Sequence, residues 1–171
     1  MSGPVVLDEA TAAEPVDPAG WKMAMGAFAS GVVIVTTLDE GRPVGTTVSA
    51  FSSVSLHPPL LLVCLDEKSR TLAAVRRTGN FCINILAEGQ EDLARLFAGA
   101  GATDRFRDVV IEPGLLGAPM IGGALANIDC RLHALQRAGD HDILIGRGLR
   151  VRAAAGAPLV YAQGRFIRQQ G

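Results

Sequence analysis

The run VVIVTTL-DEGRP-VGTTVSAFSSVSL, residues 32–56, constrains the fold most. Two stretches rich in β-branched residues flank a turn at Asp39-Glu40-Gly41-Arg42-Pro43. Parallel neighbours need a crossover of about a dozen residues or more, so strands at 32–38 and 44–56 must pair antiparallel. His57-Pro58-Pro59 breaks the second strand. LLLVCLD (60–66) and FCINIL (81–86) read as further strands, as do the alternating runs 124–139, 141–153 and 158–169. Helices are few. Asp17 can cap one that starts at Pro18, carries Trp21, Ala24, Met25 and Phe28 on one face, and ends at Gly31. A second runs through SRTLAAVRRTGN to Gly79, and a third covers 91–99. Many short antiparallel strands with a few short flanking helices are expected to close as a barrel or sandwich, a mainly β fold.

The chain has 171 residues, enough for one domain with its own core. Residues 1–16, rich in Pro, Ala and acid, read as a flexible N-terminal arm, and 17–171 as the domain. The formal charge of −1 shows no basic excess, so neither nucleic acid nor an anionic membrane is an expected partner. No apolar run is long enough to span a bilayer and no signal peptide is evident, which points to the cytoplasm. Cys64, Cys82 and Cys130 each sit in an apolar run and read as small core residues in a reducing compartment. His57, His133 and His141 lack ligand spacing, so no metal site is expected.

Two segments point to chemistry. At Leu65-Asp66-Glu67-Lys68-Ser69-Arg70-Thr71 a strand ends and a helix begins, at about Ser69–Thr71. Unpaired N–H groups and the positive end of the helix dipole suit a phosphate there, and Lys68 and Arg70 add charge. A capped helix with solvated charges would look the same. The second segment crowds Thr46, Thr47, Ser49, Ser52, Ser53 and Ser55 into a strand. Thr47, Ser49, Ser53 and Ser55 should face one way together with Phe51, while Val48, Ala50, Val54 and Leu56 face the other. Short hydroxyls beside an aromatic ring suit a flat polar ligand; a wet outer face is the alternative.

Other motifs carry less. GAGATD (99–104) follows a helix and lacks the third glycine of a dinucleotide loop, so it reads as a helix end. No P-loop and no G-x-S-x-G nucleophile elbow occurs. His141 opens a strand after a Gly-Asp turn, between Asp140 and Asp142, where a carboxylate can fix its tautomer or raise its pKa.

Taken in order, FASGVVIVTT, GTTVSAFSSVSLHPPLLLVCLDEKSRT, NFCINIL, GDHDILIGR and PLVYAQGRF resemble the short-chain flavin reductase family, over roughly residues 21–168. The resemblance implies a split β-barrel of the flavin-reductase type, with Greek-key antiparallel strands, working as a homodimer. It implies an NAD(P)H:flavin oxidoreductase that supplies reduced FMN or FAD, made with NADH or NADPH, to a partner flavin-dependent monooxygenase. By the same resemblance Thr46, Thr47, Val48, Ser49, Ala50, Ser52 and Ser53 would contact the flavin ring and ribityl chain. Lys68, Ser69 and Thr71 would hold its phosphate, and His141 would lie beside the nicotinamide as an orienting residue able to handle a proton. Tyr161 and Arg165 fall in the family's terminal motif and by the resemblance would contact the pyridine nucleotide or the flavin. The chain departs from the family pattern at His57, where relatives commonly carry Asp, and at Ala162-Gln163, where many carry bulkier residues. A non-catalytic flavin-binding or sensor module would share the fold, and no nucleophile–base pair supports a hydrolase.

Overall fold

The computed structural model describes residues 15–99 and 104–168, so the expected arm at 1–16 lies almost wholly outside the described residues. In chain order the elements are α1 (Pro18–Gly26), β1 (Ser30–Gly31), β2 (Val33–Asp39), β3 (Arg42–Val48), β4 (Phe51–Ser55), β5 (Leu60–Asp66), α2 (Arg70–Thr78), β6 (Asn80–Ile85), α3 (Glu91–Ala98), β7 (Ile111–Pro113), β8 (Pro119–Ile121), β9 (Ala126–Ala138), β10 (His141–Ala153), β11 (Val160–Ala162) and β12 (Arg165–Ile167). Seven strands form the main sheet in the order β3-β2-β6-β9-β10-β5-β4, and every pairing is antiparallel.

The connectivity rolls this sheet up. Its two edge strands, β3 and β4, are consecutive in the chain and joined only by Ser49-Ala50. Six gaps at the usual strand spacing would put the edges of a flat sheet about 29 Å apart. Three peptide steps span no more than about 11 Å. The sheet therefore curves until its edges meet at this corner. The edges are not paired with each other, so the barrel is split along that seam. The mainly β, Greek-key, split-barrel expectation holds.

The strand expected over 44–56 does not run straight through. It breaks at Ser49-Ala50 and its halves pair at opposite ends of the sheet. A register shift between Ser53 and Ser55 further disrupts β4. The single alternating face read from the sequence is therefore split: Phe51, Ser53 and Ser55 still line one groove, while Thr47 faces α3. A period-2 pattern tracks side-chain direction only while the chain stays in one ladder.

Buried β2 divides the core. Val33 and Val35 join Val63, Leu65, Leu72, Phe81 and Leu144 inside the barrel. Val32 and Ile34 face the other way, onto Leu86, Phe97, Ile121 and Leu159 beside α3. Gly146 of β10 permits the tight centre: a Cβ there would lie 2.5 Å from the Phe81 Cζ atom. Cys82 and Cys130 are buried and Cys64 half-buried, all three free thiols. Burial raises all three thiols, Cys130 to about 12.

Three further sequence expectations need correction. α1 is capped by Asp17, whose carboxylate accepts from Gly20 N at 2.8 Å, but it stops at Gly26. Ser30 and Gly31 pair with Tyr161 and Val160 instead of extending the helix. The α1 face meant for packing contains no buried residue. The run at 158–169 is a hairpin, not a strand, because Gln163 (φ 51°) and Gly164 (φ 76°) turn it. The short pair β7–β8 lies in a stretch that reads as loop.

Candidate functional site

The site is built from the far end of β5. After Asp66, a tight turn is closed by Ser69 N donating to Asp66 O at 2.9 Å and Lys68 N to Asp66 Oδ1 at 2.7 Å. Ser69 is the N-cap of α2, in extended backbone, and its Oγ accepts from Leu72 N at 3.4 Å. The first N–H groups of the helix have no carbonyl four residues back to bond. Lys68 is exposed and has no ion pair among the described residues. Arg70 is placed differently from the sequence reading: its Nε pairs with Asp39 at 2.9 Å, a carboxylate that Arg77 also grips. Those two guanidinium groups hold Asp39 below the usual carboxylate range. Thr71 is only 3% exposed, so its side chain faces the core side of the helix.

The Gly139-Asp140 turn sits on this loop. Glu67 N donates to Asp140 O at 3.0 Å, and Arg137 pairs with Glu67. His141 is opposite Asp66 in the β5–β10 register. His141 therefore shares the end of β5 with Lys68 and Ser69, although the sequence separates them widely. Its Nδ1 lies 2.7 Å from Asp140 Oδ1. An ionised carboxylate only accepts, so Nδ1–H donates, and in its neutral form the ring would present Nε2 as an acceptor. The bond to His141 is the main cause that holds Asp140 below its ordinary pKa. The other neighbour, Asp142, does not touch the imidazole; it is buried and pairs with Arg76 of α2.

The hydroxyl segment reaches the same place at its middle. Cys64 N donates to Ala50 O at 3.0 Å, which pins the Ser49-Ala50 corner to β5 two residues before Asp66. Thr46, Thr47 and Val48 run away from this corner on β3, and Ser52 and Ser53 on β4. The Thr47 hydroxyl is already committed, donating to Ala94 O of α3 at 2.7 Å. Ser49, Ala50, Ser52 and Ser53 are exposed. Ser53 pairs with Leu61, toward the opposite end of β5 from Lys68.

There Ser53, Phe51, Leu60, Leu149 and Arg150 line a groove of about 340 Å³. Phe51 also packs on the barrel core, which accounts for an aromatic among hydroxyls. Arg150 is the groove's cation. Asp129, 2% exposed, holds its Nε at 2.8 Å from behind. The sequence offers no signal for it, since Arg150 alternates within LRVR like any solvent-facing residue.

Tyr161 and Arg165 belong to the C-terminal hairpin, where Tyr161 meets Phe166 edge-on at 5.3 Å. Tyr161 pairs with Ser30, and Val33, three residues on, pairs with Val48 at the corner. Arg165 is exposed beside the turn. Gly99 caps α3 as expected of GAGATD, whose residues 100–103 lie outside the described residues. Among the described residues no cluster of His, Cys, Asp and Glu could hold a metal, and no helix is long and apolar enough to cross a membrane.

The model of the flavin reductase like domain matches residues 25–168. The reductase subunit HsaB of a flavin-dependent monooxygenase from Rhodococcus jostii is 42% identical over 84% of this chain and 73% of its own. A flavin reductase (NADH) from Kitasatospora aureofaciens is 44% identical over 84% of this chain and 78% of its own. Among solved structures, the NADH:FAD oxidoreductase SgcE6 of Streptomyces globisporus, in complex with NAD and FAD fragments, superposes with a TM-score of 0.86 at 35% identity. That likeness covers 92% of this chain and 98% of the other.

Proposed function

The chain belongs to the flavin reductase like domain family, and on that premise we propose how its own residues carry the activity. It is an NAD(P)H-dependent flavin reductase of the kind that supplies reduced flavin to a monooxygenase. When bound, nicotinamide and flavin supply the redox chemistry between them, a hydride passing from nicotinamide C4 to flavin N5. The protein's part is to hold two rings in contact and in register.

One observation carries the residue assignment: Lys68, Ser69, the Ser49-Ala50 corner and His141 all meet at the Asp66 end of β5. The donor set fits a flavin nucleotide. Lys68 and the start of α2 would hold the phosphate, with Thr71 acting through the helix turn it helps bury. Ser49, Ala50 and Ser52 would line the ribityl chain and ring edge, flanked by Thr46, Thr47 and Val48 on β3 and by Ser53 on β4. Thr47 would serve by anchoring β3 to α3, since its proton is already donated. His141, oriented by Asp140, would accept a hydrogen bond from the nicotinamide at Nε2. Tyr161 and Arg165 would close the site from the C-terminal hairpin.

Mixing purified protein with NADH or NADPH and with free FMN or FAD, and following absorbance at the nicotinamide band, tests this directly. Relatives named for NADH and FAD make that pair the expected best. Silence with every pair would leave a flavin-holding module.

A homodimer is part of the same proposal. Trp21 (56% exposed), Met25 (52%) and Phe28 (78%), on and after α1, form an apolar surface that the described residues of a lone subunit leave wet. Sedimentation should show a dimer, and Phe28→Asp should shift it toward monomer; a monomeric wild type ends this part of the reading. Three free thiols fit a cytoplasmic location, which fractionation of the native host would contradict by finding the protein outside.

A further inference from the structure

Asp142 occupies a position where the fold calls for an apolar side chain. Along β10, Asp142, Leu144 and Gly146 are the inward, buried positions, and Asp142 lies opposite buried Leu65. It is 1% exposed. A carboxylate in that setting must be paired, and its partner is Arg76 of α2. Replacing such a pair by well-packed apolar residues is often neutral for stability, so stability alone does not account for its presence.

The pair's position suggests a different task. Asp142 directly follows His141 in a strand fixed on both sides, by β5 and by β9. Arg76 sits in the last turn of the same nine-residue helix whose N-cap is Ser69. The other ion pairs of α2, Arg70 and Arg77 on Asp39, tie it to β2, while its buried Leu72 and Val75 pack in the core cluster that holds Leu144. Arg76–Asp142 is thus the ion pair that ties the helix to the His141 strand. A second pair, Arg137–Glu67, braces the loop before the helix, but both its members are at least a third exposed, whereas Arg76–Asp142 joins a half-exposed guanidinium to a buried carboxylate.

We propose that the Arg76–Asp142 pair is a positioning element that fixes His141 relative to the start of α2 and so sets the alignment of nicotinamide against flavin. It rests on the site assignment above. Neither residue touches a reacting atom. The pair acts through two rigid elements, each of which ends at one of the two ligands. Loosening it leaves each half-site whole and lets their spacing drift, and small misplacements of reacting rings cost rate steeply.

The test compares Asp142→Asn, Arg76→Met and Arg76→Lys with wild type. FMN affinity is read by quenching of flavin fluorescence, fold stability by thermal midpoint, and hydride transfer by stopped-flow mixing at saturating NADH and FMN. Asp142→Asn and Arg76→Met should slow hydride transfer by roughly tenfold or more, with the FMN dissociation constant changed less than about threefold. Arg76→Lys, which keeps a cation for Asp142, should recover most of the rate. Transfer rates within twofold of wild type in both variants would overturn the proposal. So would losses of rate, FMN affinity and thermal midpoint that move together and are not rescued by lysine. A wild type that reduces neither FMN nor FAD overturns the underlying assignment as well; an active wild type with unaltered variants overturns the positioning role alone.

Discussion

Replacing Lys68 and Ser69 together by alanine is expected to weaken FMN binding by roughly 30- to 100-fold while leaving riboflavin within about threefold. The two ligands differ only in the phosphate, so their ratio isolates it. Lys68 is the loop's cation without an ion pair among the described residues, because Arg70 is drawn off to Asp39. Removing it takes away one charge-assisted contact at an exposed site. Removing Ser69 takes away a hydroxyl and also the N-cap that orders the first turn of α2, which costs about 1 kcal/mol of stability by itself. Affinities by fluorescence quenching at low and at moderate salt would check the origin. The wild-type preference for FMN over riboflavin should shrink as salt rises, and the variant's should not. Equal losses for FMN and riboflavin would remove the phosphate from this loop. Arg70→Ala is the contrast: tied to Asp39, it should change FMN binding less than Lys68→Ala does.

That contrast shows what the sequence could and could not disclose. The strand end, the helix start at about Ser69–Thr71 and the Gly79 stop of α2 were legible because each is a local signal: an apolar run that ends in charge, small hydroxyl residues, a glycine at φ 68°. The antiparallel order of β2 and β3 followed from turn length alone. What stayed hidden is set by contacts between distant segments. Arg70 and Lys68 look equivalent in the sequence, and only the folded position of Asp39, 31 residues away, separates them. The corner at Ser49-Ala50 carries neither Gly nor Pro; the chain bends there because its two halves find partners at opposite edges of the sheet. The β11–β12 hairpin hid behind a good alternating pattern, since Gln163 accepts a left-handed turn conformation that its residue type does not announce. Trp21, Met25 and Phe28 are plainly apolar in the sequence, but nothing among the described residues covers them.

His141→Ala is expected to raise the Michaelis constant for NADH roughly tenfold, with the FMN dissociation constant changed less than about twofold. The asymmetry follows from where the ring is held. Asp140 takes the Nδ1 proton at 2.7 Å, and the backbone of the same turn accepts from Glu67 N. His141 is thus oriented from the protein side, with Nε2 left for a ligand. Loss of one neutral hydrogen bond to the nicotinamide is worth about 1 to 1.5 kcal/mol, which is the factor expected in the NADH constant. The phosphate loop keeps its own hydrogen bonds, Ser69 N to Asp66 O and Lys68 N to Asp66 Oδ1, so flavin binding should be spared. Asp140→Asn gives the finer test. An amide can meet Nδ1 as donor or as acceptor, so the ring is no longer held in one tautomer. The NADH constant should then rise in the same direction by a smaller factor, roughly threefold. Because the bond to His141 holds Asp140 below the usual carboxylate range, Asp140 of the wild type stays ionised, and keeps accepting from His141 Nδ1, as pH falls toward that range. If His141→Ala instead abolished flavin binding and left the NADH constant untouched, the ring would belong to the flavin half of the site and the assignment would have to be exchanged.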